Sequence, residues 1–276
     1  MAETTKAATH GCGCGADHHH HGPADESARP EPAKLSPEGQ AALTAAAEAL
    51  GVIIRLHDRE PDAALVRGLK EAEAPALFAA ILAGEDGQTA AAALAEALDA
   101  LPDDPVEADM DLVAAAWAEV HITHGLRASP NGSVWMTVES LERQEPMFAV
   151  RDWYEHYGLS TPDWRRRSDD NIVHELQFVQ HLLGQGTQVA AVDAGRFMDL
   201  HVLPWVPEWG RRVAARAAEP LIAASGLLTA TYLEGLRELI AQVSGVRRGP
   251  VAPLPQAQAV TPDEPERFIP GVAESW

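Results

Sequence analysis

The chain reads as an all-α protein, a single helical bundle with a tail at each end. Three observations carry this reading. Alanine is the commonest residue between the tails, apolar residues recur three and four positions apart, and runs of alternating β-branched residues are missing. Residues 1–35 hold Gly, Pro, Ser, charges and a His tract with almost no apolar periodicity, a composition that cannot repay the entropy of ordering, so a disordered tail is expected there. Ser36-Pro37-Glu38 then supplies a cap, a proline for the first helical position and an acid for the first turn. They open a helix with Leu43, Ala46, Leu50 and Ile54 on one side. Further helices are expected to begin near Asp62, Pro75, Gln88 and Asp109, each entered through Asp or Pro and left through Gly or Pro. Pro146 starts one that ends at Gly158, Ser168-Asp169-Asp170 caps one running to Gly184, and Pro207 and Gly226 punctuate the last long pair. About ten helices joined by short turns make a compact bundle over residues 36–248. Residues 249–276 form a proline-rich second tail, in which Phe268, Ile269 and Trp276 are the residues able to dock.

Composition narrows the function. With 276 residues and 46% hydrophobic content the chain can bury a core of its own. No apolar run approaches the ~20 residues of a bilayer span, so stable membrane insertion is not expected. The polar first thirty residues do not read as a secretory signal, which points to the cytoplasm. The formal charge of −20 repels nucleic-acid phosphates and attracts basic peptides or metal cations. Residues 37–119 carry seventeen acids against four bases. The same excess also serves solubility.

Two groups of residues invite chemistry. Cys12, Cys14, His18, His19, His20 and His21 put thiolates and imidazoles close together, a donor set that suits Zn²⁺ or Ni²⁺. The tract lacks a second spaced pair of ligands, so it reads either as a flexible chelator or as an incidental His-rich tail. Cys12 and Cys14 are too close for an unstrained disulfide. His174 and Glu175 stand side by side with His181 two turns on, but a zinc-protease helix needs a second His four positions after the first, and residue 178 is Phe. His121 and His124, three apart, share a helix face. A phosphate loop, a nucleophile elbow and a cysteine in the folded part are all missing from the sequence, so a binding protein is expected rather than an enzyme. A metal delivery or buffering protein acting through the N-terminal tract is the alternative.

Aromatic residues crowd one stretch. Trp135, Trp153, Tyr154, Trp164, His201, Trp205 and Trp209 fall between residues 135 and 209, and rings in this density either fill a core or grip apolar ligands. Trp135 and Trp205 lie beside chain-breaking residues, Pro130-Asn131-Gly132 and Pro204, where side chains commonly line a groove.

The stretch from Ser129 to Trp209 resembles the TorD/DmsD family of all-helical chaperones for molybdoenzymes exported by the twin-arginine route. The resemblance is carried by Ser129-Pro130-Asn131-Gly132-Ser133-Val134-Trp135, by Glu145-Pro146 with Val150, Tyr154 and Gly158-Leu159, by the run from Asp169 to Phe178, and by Phe197, His201, Pro204-Trp205 and Pro207. It implies a protein that binds the twin-arginine leader and the body of an apo molybdopterin-containing oxidoreductase subunit until its cofactor is inserted. A leader of paired arginines and an apolar stretch asks for an apolar groove with an acidic rim. The resemblance assigns Trp135, Tyr154, His201 and Trp205 to the groove, and Asp169, Asp170, Asn171 and Glu175 to its polar edge. In one departure Asn171 stands where the family pattern Asp-His-x-x-x-Glu-Leu-x-Phe has His. The folded domain is expected to need no cofactor. The sequence leaves open whether the bundle exchanges helices to form a homodimer.

Overall fold

The computed structural model describes residues 33–250 and 253–255. The Cys12, Cys14 and His18–His21 tract lies outside the described residues, as do Phe268, Ile269 and Trp276. The described residues form α-helices joined by turns and loops, without strands, as the sequence pattern requires. The helices are α1 (Pro37–Asp58), α2 (Ala63–Glu71), α3 (Ala74–Ile81), α4 (Gly84–Asp99), α5 (Asp111–His121), α6 (Ser133–Met136), α7 (Glu145–His156), α8 (Ile172–Gly184), α9 (Gln188–Phe197), α10 (Val206–Arg216) and α11 (Pro220–Ser244). A short 3-10 turn precedes α5, and a π-turn, Met198–Val202, follows α9.

Side-chain caps mark five of the eleven α-helix starts among the described residues. Ser36 Oγ accepts from Gly39 N at 3.1 Å, and Asp62 Oδ1 accepts from Leu65 N at 2.8 Å. α4 begins at Gly84, a turn before the expected start near Gln88, because the Gln88 side chain donates back to Ala79 O and Leu82 O and closes the α3–α4 turn. α8 is capped by Asn171, whose Oδ1 accepts from Val173 N, while Asp169 and Asp170 turn inward. Gly226 lies inside α11 rather than ending a helix. There a Cβ would come within 2.8 Å of Gly210 O on α10, and a Cβ on Gly210 would collide with Gly226 O, so the two backbones touch.

α11 runs through the middle of the bundle, with α1, α4, α9 and α10 packed around it and α8 against α1. Leu50, Ile53, Leu94, Leu228, Leu233 and Ile240 are fully buried along these contacts. Among the described residues α1 alone is long and apolar enough to cross a membrane by length and composition. The sequence reading did not foresee this, because Thr44, Glu48 and Gly51 break the apolar residues of the stretch into short runs; its buried face packs on α8 and α11. Just before α1 the chain is tied to the start of α9: Ala33 O accepts from Gln188 N at 2.9 Å and Lys34 pairs with Thr187.

Candidate functional site

Two loops meet at the start of α8 and build the centre of the site. The loop before α6 and the segment leading into α8 join through an antiparallel bridge between Asn131 and Asn171. In it Gly132 N donates to Asp170 O and Ile172 N to Pro130 O, both at 2.8 Å. Side chains lock the bridge: Asn171 Nδ2 donates to Asn131 Oδ1 at 2.8 Å, and Asn131 Nδ2 donates to Glu142 Oε1 at 2.9 Å. Asp170, fully buried, accepts from Ser133 N at 2.6 Å and from the hydroxyls of Ser133 and Ser168. A charge at that depth is tolerable only with such a set of donors. Asp169 is served in the same way by Arg151 Nε at 2.7 Å and by the Thr161 hydroxyl.

Three indoles brace the site, and one of them, Trp209, ties the first loop to α10. Trp135 Nε1 donates to Ser129 O at 2.8 Å, Trp209 Nε1 to Ala128 O at 3.1 Å, and Trp205 Nε1 to Glu175 Oε2 at 3.2 Å. Trp135 and Trp205 stack with centroids 6.3 Å apart, and the Arg212 guanidinium lies 4.3 Å over the outer face of Trp135. Gly132 is required where the loop crosses Trp205, since a Cβ would sit 3.1 Å from Trp205 Nε1 and 3.4 Å from Glu175 Oε1. Burial holds the Glu175 carboxyl well above the usual carboxylate range, and the neighbouring charge of Asp170 adds to it.

The eight residues expected at a peptide groove are therefore all buried. Trp135, Asp170, Asn171, Glu175 and Trp205 are brought together around the bridge. Asp169 and Tyr154 adjoin them, the Tyr154 hydroxyl donating to Asp169 O at 3.0 Å. His201 stands in another cluster, its ring 5.0 Å from Phe197 and 6.3 Å from Trp153, where burial pushes its imidazole down to about 4.

Above this centre opens a cleft of about 1240 Å³. Trp135, Val134, Leu203, Pro204 and Pro207 give it an apolar floor, Leu141 and Glu142 form one side, and Glu208, Arg211 and Arg212 of α10 form the other with Glu234 of α11. Arg212 and Glu208 pair at 3.3 Å. Sequence reasoning found Trp135 through its neighbouring breakers but missed the Leu141-Glu142 side, which has no periodic signal. A second cavity of about 690 Å³ is lined by His57, His121, His124 and His174 with Arg143, Arg166 and Arg167. Burial pushes His57 down to about 3 and lowers His121 and His174. Among the described residues no three His, Cys, Asp or Glu side chains are grouped so as to hold a metal ion, and His181 is outside this cavity.

Residues 83–210 match the family model described as the nitrate reductase delta subunit. That family consists of molybdoenzyme maturation chaperones, assembly factors rather than enzymes. The match agrees with the resemblance to TorD/DmsD-type chaperones and covers both loops of the bridge and the floor of the cleft. Comparison with curated proteins finds no match to the chain.

Proposed function

We propose that the chain is a maturation chaperone that binds the apo form of a molybdopterin-containing oxidoreductase subunit in the cytoplasm, receives its twin-arginine leader in the 1240 Å³ cleft, and catalyses nothing itself. The observation that carries this reading is the match of residues 83–210 to the nitrate reductase delta subunit family. The cleft supports it chemically. Its floor is apolar, as the hydrophobic part of a leader requires; Glu142 and Glu234 line it as partners for the arginines, while Glu208 offsets the cleft's own Arg211 and Arg212. The buried acids lie beneath the floor, where Asp170 fixes the loop that carries Trp135, Glu175 holds Trp205, and Asp169 holds Arg151. The −20 charge of the whole chain draws a basic leader towards the protein.

Calorimetry with a synthetic twin-arginine leader of a molybdopterin-containing oxidoreductase subunit tests the reading. Micromolar or tighter binding that weakens as salt rises is expected. Absence of heat at any salt, with no competition against the full apo subunit, would exclude the leader from the site.

A further inference from the structure

The chain leaves α11 through Gly245, whose φ of 73° turns it back along the bundle. Three contacts then fix its path. Arg237, itself 1% exposed, holds Asp199 through two hydrogen bonds of 2.8 and 2.9 Å and also reaches Val246 O. Asp199 Oδ2 accepts from Gly249 N at 3.1 Å, and the Arg248 guanidinium is ion-paired to Glu234 at the edge of the cleft. Beyond this anchor Pro253, Leu254 and Pro255 line the cleft that also contains Trp135, and Leu254 packs against the core.

The chemistry of this strap is that of the ligand proposed for the cleft. Arg247 and Arg248 are adjacent arginines, and apolar residues follow them in sequence. One of the pair already occupies Glu234, an acid expected to meet a leader's arginine, while Leu254 takes apolar surface the leader would need. The geometry points to an internal stand-in: the chain's own Arg248, paired to Glu234, and Pro253–Pro255, along the cleft wall, take part of the surface that a twin-arginine leader would use and so compete with it. This inference rests on the leader-binding reading above. An intramolecular occupant needs little affinity to compete, because its effective concentration is in the millimolar range. A leader then meets only the fraction of molecules whose strap has lifted, and its apparent affinity falls by that fraction.

The test uses the full chain carrying Leu254→Asp, and separately Arg248→Ala, each checked for an unchanged melting temperature. Leader binding is measured by calorimetry beside the unaltered protein. Either substitution should tighten leader binding about tenfold, as a rise in the competent fraction predicts. A synthetic peptide of residues 246–260 should displace leader from the Leu254→Asp protein, and the same peptide with both arginines replaced by alanine should not. Equal leader affinity in all three proteins would overturn the stand-in and leave the leader site standing. If none of the three binds leader, the leader reading falls and the stand-in with it. Displacement by the arginine-free peptide would show that Leu254 alone fills the cleft, and would overturn the mimicry.

Discussion

The alanine-rich α3–α4 region and the paired loops at residues 128–135 and 168–175 are held by opposite means. In α4, Ala90, Ala91, Leu94, Ala97 and Leu98 pack against the bundle, and the polar links nearby, Arg67 to Asp104 and Lys70 to Asp103, lie at the surface where they contribute little. In the paired loops many of the buried side chains are polar, and they depend on particular partners at set distances. Apolar packing tolerates exchange of shape for shape, whereas a buried hydrogen-bond network tolerates almost none. The first kind of structure makes a scaffold. The second sets a surface, here the loop that presents Trp135 to the cleft.

The largest effect should come from removing the acceptor on which that loop hangs. Asp170→Ala strands one backbone N–H and two hydroxyls in the interior and should cost about 3–5 kcal/mol in denaturant unfolding. Leu94→Ala in α4 should cost about 2–4 kcal/mol by cavity formation, and only the first should also abolish leader binding in the folded fraction. Equal binding by both variants would erase the distinction between scaffold and network.

A smaller effect, of opposite sign, sharpens the comparison. The buried Glu175 keeps its proton to higher pH in the folded chain than in the unfolded one, so folding stability falls as pH rises above the unfolded value of about 4.3. Glu175→Gln retains an acceptor for Trp205 Nε1 and removes this cost. It should therefore melt higher than the natural protein at pH 7, with the gap closing near pH 4. A variant that melts lower at pH 7 would mean that Glu175 is ionised and stabilised by its surroundings. The smallest change belongs to the helical scaffold: Leu112, 78% exposed on α5, should accept serine within about 0.5 kcal/mol in the same unfolding measurement.

These differences also decide what was legible in the sequence. Periodicity and caps located the scaffold helices, and Ser36 and Asp62 cap as their spacing indicates. Gly226 misled, because the signal that ends one helix also permits two helices to touch. Trp135 was readable from the breakers beside it. The depth of Asp169, Asp170 and Glu175 was not, since spacing along a helix reports which residues share a face and not whether a loop from forty residues away will cover them. The strap after α11 was hidden by its prolines, which forbid a helix but allow an extended segment to dock; the adjacent arginines before them were the available signal.

The contact of Gly210 with Gly226 reaches beyond packing. It welds α10 to α11, so the side of the cleft bearing Glu208 and Arg212 is an anvil that cannot slide. The opposite jaw is irregular chain around Leu141 and Glu142, with Ser140 and Arg143 in the left-handed region, at φ of 51° and 59°. Accommodation of a leader of differing girth would fall to that jaw and to the lifting of the strap at Pro253–Pro255. Retuning the proposed site would then be a matter of rewriting those two short segments while the helices stay as they are.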